Sequence, residues 1–192
     1  VGPGEGLARL DRKFVAIAAP AFVQLLTEPL AGIVDTANVG HLSRSALGGM
    51  AVAVAAQYSL TKLYNDPMLR VTISQVAAAS EEHRGETVRA VLLLAAALGV
   101  LQAAAYGCFT EKLIGGMGVA AGSEMFPHAV AYLRVRSLGA PLGSLLLALN
   151  GVMRGLGNAR APLVASVLAT AANVLLDPLL IFGLGWGCGG AA

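Results

Sequence analysis

Charge is scarce in this sequence. Only 12% of its 192 positions are Asp, Glu, Lys or Arg, against 56% hydrophobic residues, whereas soluble domains carry about 25% charged residues. That balance excludes an ordinary water-soluble domain. The net charge is only +2 and no basic run with interleaved aromatics occurs, which excludes a nucleic-acid partner. Two cysteines, Cys108 and Cys188, stand in no CxxC or Cys/His arrangement, so zinc and dithiol chemistry are unsupported. GxSxG, HExxH and Walker A patterns are missing, as is a GxGxxG in strand context; neither an enzyme, nor a bound cofactor or metal, nor an ATP-driven pump is indicated. The first twelve residues hold no apolar signal-peptide core.

What the chain has instead is apolar blocks. Mean hydropathy is +0.71, and the blocks run to about 20 residues or more, enough at ~1.5 Å per residue to cross a ~30 Å hydrocarbon core. The pattern predicts an all-α, multi-pass membrane protein: an N-terminal cytoplasmic segment 1–13, then a membrane domain 14–192 with spans at about 14–38, 46–79, 88–109, 126–153 and 163–184. Its 24 glycines suit close helix–helix approach in lipid. Pro20 lies inside the first span and predicts a bend there. The second block is too long for one simple crossing and is interrupted by Lys62, Asn65, Asp66, Pro67 and Arg70, which predicts a helix break; Lys62, Asp66 and Arg70, four residues apart in turn, are placed to form a charge ladder. Residues 81–86 and 154–162 read as turns, and Gly185–Ala192 as a connector toward a further helix. Seven Lys or Arg fall on the N-terminal side and four on the other, which predicts a cytoplasmic N-terminus.

An ionisable group inside a span costs about 2.5–3.5 kcal/mol on insertion scales and so calls for a reason. Glu28, Asp35 and Asp177 are such groups. Glu28 and Asp35, seven apart, fall within ~20° of one helix face, with Gln24 one turn before Glu28. Asn173 and Asp177, four apart, share a face ahead of Pro178, which frees a backbone carbonyl near Val174. An amide, a carboxylate and a loose carbonyl together could hold a proton or Na⁺. The competing readings are that Asp35 sits at the membrane interface and that Asn173 and Asp177 only knit helices together.

Three segments carry a family resemblance: Pro29-Leu-Ala-Gly-Ile-Val-Asp-Thr-Ala-Asn-Val-Gly-His-Leu42, Arg154-Gly-Leu-Gly-Asn-Ala-Arg-Ala-Pro162 and Asn173-Val-Leu-Leu-Asp-Pro-Leu-Leu-Ile-Phe-Gly-Leu-Gly185. They resemble the multidrug and toxic compound extrusion (MATE) transporters, nearest the DinF-like branch with its plant and algal organic-anion exporters. The resemblance implies a MATE-type N-lobe bundle, about five helices plus the start of a sixth, of a twelve-helix, two-lobe architecture whose C-terminal lobe is the missing partner. It implies a secondary transporter in the lipid bilayer, exchanging H⁺ or Na⁺ for organic solutes, drugs or organic anions by alternating access. It places Asp35, Asn173 and Asp177 on the cation-coupling site, and Pro20 at the bending point. Gln24 and Glu28 are candidate substrate-cavity residues beside that site. The plasma membrane or an organelle envelope, such as the chloroplast's, is the expected location. The rival reading is a non-transporting half-transporter kept for its contacts.

Overall fold

The computed structural model describes residues 3–192, with side chains from Phe14 onward except those of Ala16, Ile17, Pro20, Ala21, Gln24, Glu28 and Leu60. Five long helices follow one another: α1 (Pro3–Gly40), α2 (Arg44–Ala78), α3 (Arg84–Gly116), α4 (Met125–Gly155) and α5 (Arg160–Pro178). A π-helical turn (Leu179–Gly183) and a short 3-10 turn (Gly187–Ala191) complete the chain. The backbone of residues 3–13, expected as a segment apart, continues into α1. By length and apolar composition, α3, α4 and the continuous helix Arg160–Gly183 can each cross a membrane.

Unlike that of a water-soluble bundle, the outer surface is richly apolar, and several polar side chains lie inside. Leu25, Ile33, Leu93, Leu101, Leu138, Leu168 and Leu175 are exposed, while Thr72, Gln102, Thr110, Ser137, Ser144 and Asp177 are buried. In water such a surface would be a severe hydrophobic liability; in hydrocarbon it is the stable solution, because polar groups must then be satisfied within the protein. Thr72, for example, donates its hydroxyl to Met68 O at 2.7 Å.

Glycines set how closely the helices approach. The helix α4 is central, packed between α2 and α3, while α1 lies along α5. A Cβ on Gly99 of α3 would stand 2.6 Å from Pro141 Cα of α4, and one on Gly151 of α4 would stand 2.7 Å from Thr72 Cγ2 of α2. Backbones therefore meet where any side chain would keep them apart. At one end of the bundle Val39, Ala46, Ile114, Val119, Ala129, Ile181 and Cys188 form a single apolar cluster. The loops after α1 and α3 and the segment after α5 consequently share that end. At the other end Gly155 packs on Val76 and Ile73 O. Successive helices thus run antiparallel.

The connectors follow from local chemistry. Ser43 caps α2 by accepting from the Ala46 N–H at 3.0 Å. Between α4 and α5 the chain turns at Gly157, whose φ of +79° is the left-handed conformation glycine adopts without a Cβ clash. Asn158 Oδ1 then accepts from the N–H groups of Arg160 at 3.2 Å and Ala161 at 3.1 Å, which starts α5.

Two expectations about the second helix are corrected. No break occurs: α2 is continuous through Pro67. A proline removes one backbone hydrogen bond, which a membrane helix tolerates where neighbouring protein or a cavity takes up the freed carbonyl, and here α2 borders a cavity. Nor does the charge ladder form. Lys62, Asp66 and Arg70 make no ion pair with one another, and Lys62 Nζ lies over the Tyr58 ring, 5.9 Å from its centre. Exposed pairs of this kind gain little.

Candidate functional site

The π turn beside Asp177 shows how the site is built. Pro178 supplies no N–H, and the regular helix ends there; Leu184 N then reaches Leu179 O at 2.9 Å, a bond one residue longer than the α-helical one. The apolar pattern alone predicts a simple span to about residue 184. The extra residue of a π turn widens the helix locally, and such turns recur at functional positions. Asp177 stands immediately ahead of it and is 3% exposed.

Packing of α1 along α5 brings the acids together. Asn173 Nδ2 donates to Asp177 Oδ1 at 3.2 Å, and across the helix interface the Asp177 carboxyl meets Asp35 and Asn38 of α1. Tyr132 of α4, 2% exposed, is within the electrostatic reach of both aspartates. Asp35 Oδ1, Asn38 Nδ2, Asn173 Oδ1 and Asp177 Oδ2 are buried and make no regular hydrogen bond, the Asp177 carboxyl instead facing Asp35 and Asn38 across the interface. Leaving a buried polar atom unsatisfied costs about 1–3 kcal/mol. Such a concentration of unmet polar capacity is unusual in a folded chain. Three of these four atoms are oxygens, the donor type that suits a hard monovalent cation, and a paired carboxylate can equally take a proton. Among the described residues no group of three or more His, Cys, Asp or Glu gathers, so the oxygen set rests on an amide as well as on acids.

A cavity of about 450 Å³ between α1, α4 and α5 reaches Asn173 and is lined also by Thr27, Asn150 and Arg154. A second cavity of about 690 Å³ lies between α2, α3 and α4. Tyr132 stands between the acids and this second cavity, since its hydroxyl accepts from Arg136 Nη1 at 3.4 Å and Arg136 lines the cavity.

The structure thus joins Asp35, Asn173 and Asp177. The side chains of Pro20, Gln24 and Glu28 lie outside the described residues. Two members of the group were missed from sequence. Asn38 had a signal, for it stands three residues after Asp35 and so shares its face. Tyr132 had none, because only the packing of α4 brings it near α1 and α5.

Residues 69–179 match the MatE family. The chain belongs to that family. Its relatives include Protein DETOXIFICATION 44, chloroplastic, of Arabidopsis thaliana, 36% identical over 203 residues that take in 99% of this chain and 39% of the relative. DNA damage-inducible protein F of Escherichia coli is 31% identical, with 97% of this chain and 41% of that protein covered. Among solved structures, MATE in the bent conformation superposes with a TM-score of 0.80 at 27% identity, and MATE in the straight conformation with 0.81 at 25%; each covers 93% of this chain and 40% of the solved chain. The MATE chain described here therefore spans about 40% of the length of the proteins it matches. Membership makes it an integral membrane chain of an efflux-transporter family.

Proposed function

We propose that the chain forms the first lobe of a cation-coupled antiporter that exports organic solutes, with Asp35, Asn173 and Asp177 as the coupling site. The observation that carries the reading is the set of acids and amides joining α1 to α5, with Asp177 buried and facing Asp35 and Asn38 and with Asn173 bonded to it. Binding of H⁺ or Na⁺ there removes negative charge from a water-poor interface. The packing of α1 on α5 that is favoured with the acids charged then differs from the packing favoured with them neutralised. That difference is what alternating access requires. Coupling is reciprocal: a substrate held by the deprotonated state lowers proton affinity by the same factor. Solved MATE structures in bent and straight conformations support a lobe with two stable shapes. A second lobe, absent from these 192 residues, completes the translocation pathway in this reading. Chloroplastic relatives support an organelle envelope as its membrane.

Two acids brought face to face favour transport over a purely adhesive role, because a contact protein gains nothing from like charges held together out of water. The test is flux in proteoliposomes of the full-length protein, with an imposed H⁺ gradient and an imposed Na⁺ gradient applied separately. One of the two is expected to drive solute movement. No movement under either refutes the reading.

A further inference from the structure

The Asp177 carboxyl is met by two amides that come from different helices. Asn173 belongs to α5 itself, one turn before Asp177, and donates to Asp177 Oδ1 at 3.2 Å. Asn38 belongs to α1 and faces the same carboxyl across the interface. Packing puts it there. Val39 and Ile181 lie one turn beyond Asp35 and Asp177 respectively, and both are buried in the apolar cluster at that end of the bundle, 0% and 1% exposed. Helices α1 and α5 run in the same direction, so a shared cluster at their ends brings the preceding turns level with one another. Asn38, three residues after Asp35, shares its helix face and is thereby set against Asp177 rather than toward lipid.

Charge decides what an amide does in such a place. The Asp177 carboxyl meets Asp35 and Asn38 from α1 and Asn173 from its own helix; Tyr132 of α4 lies in the field of both aspartates and is itself bonded to Arg136. A second carboxylate at close range disfavours a charged Asp177 and so favours capture of a cation or proton. The Asn38 amide acts in the opposite sense. Its Nδ2 is buried at this interface; N–H presented to a carboxylate stabilises the charged, cation-free form, and that nitrogen offers a cation no lone pair. Asn173 serves Oδ1 in the same way but travels with Asp177 on one helix. Asn38 ties the preference for a charged Asp177 to the packing of α1 on α5.

We propose that Asn38 sets the affinity of the coupling site, as a donor on α1 that stabilises the cation-free Asp177 carboxylate and so hastens release of the bound cation. Its part in release rests on the antiporter reading above; its effect on cation affinity does not. Two measurements on the full-length protein test it, each with Na⁺ and with H⁺. In proteoliposomes, flux against driving-cation concentration separates the half-saturating concentration from the maximal rate. In detergent, a ligand of the folded state raises Tm by mass action, and the part of that rise lost in Asp177→Asn belongs to the site. Asn38→Leu keeps the size of the side chain and removes the donor. It is expected to lower both the half-saturating concentration and the concentration at which Tm begins to rise about tenfold, as loss of a hydrogen bond to a charged group does, and to lower the maximal rate because release slows. Asn38→Ser, which retains a hydroxyl donor, falls between. An amide that only knits helices would shift Tm equally at every cation concentration and leave both values in place; that result overturns the proposal. So does a rise in either value, which would make the Asn38 oxygen a ligand of the cation, and so does a Tm that shows no Asp177-dependent response. If the Tm onset moves as expected while the unaltered protein carries no flux under either gradient, the role of Asn38 in affinity stands and the antiporter reading falls.

Discussion

Replacing Gly49 by Ala adds one carbon where α2 crosses α4. That carbon would stand 2.8 Å from both His128 Cβ and Met125 O and 2.9 Å from Ala129 N. Comfortable contacts begin near ~3.5 Å, so the helices must part by roughly 0.7 Å, and two of the three obstructing atoms are backbone. Overpacking of this kind costs about 1–3 kcal/mol, and three simultaneous contacts place it at the upper end. Helix propensity works the other way, favouring Ala over Gly by about 1 kcal/mol. The net is a loss of about 2 kcal/mol, or ~4–8 °C in Tm for a chain of this size. Gly107→Ala on α3 is the control, since nothing lies within 4 Å of its added carbon; only the propensity gain applies there, and Tm should hold or rise by ~2–4 °C. Thermal unfolding in detergent, followed by circular dichroism at 222 nm, reads both. A Gly49→Ala chain as stable as the unaltered one would show that α2 and α4 do not meet at this position.

Two predictions concern topology and the thiols. Cysteines introduced at Ser43 and Glu86 in a cysteine-free background should be labelled from opposite faces of the membrane, because the loops after α1 and α2 lie at opposite ends of the bundle; labelling from one face refutes the antiparallel arrangement. Cys188 is buried and donates to Ala46 O at 3.7 Å, and burial pushes its thiol pKa up to about 11. Since the thiolate is the reactive form, a Cys108→Ala chain should resist maleimide at pH 7 until it is denatured. Fast labelling of the native chain would show that the segment after α5 is not docked on α2.

The coupling residues were legible in the sequence for a physical reason: an acid inside an apolar run is expensive, so Asp35 and Asp177 stood out against their surroundings. Their meeting, across 142 positions, was expected only through the family resemblance, because it depends on α1 packing along α5 and no local pattern shows that contact. Tyr132 was hidden for the same reason. Pro67 and its charged neighbours suggested a broken helix, since local propensity penalises proline in a helix. The continuous α2 reflects tertiary context that a local reading does not see. Pro178 signalled a lost hydrogen bond but not the extra residue of the π turn, for the two differ only in where the next carbonyl is captured.

In the proposed mechanism Asp35 and Asp177 carry the coupling charge. Asn at either position preserves size and hydrogen bonding while fixing the neutral state. Gradient-driven efflux should therefore be abolished in Asp35→Asn and in Asp177→Asn proteoliposomes of the full-length protein, with normal insertion and expression of both variants. Efflux at the unaltered rate in both, under the same imposed H⁺ or Na⁺ gradient, would reduce the two aspartates to structural polar groups with no part in coupling.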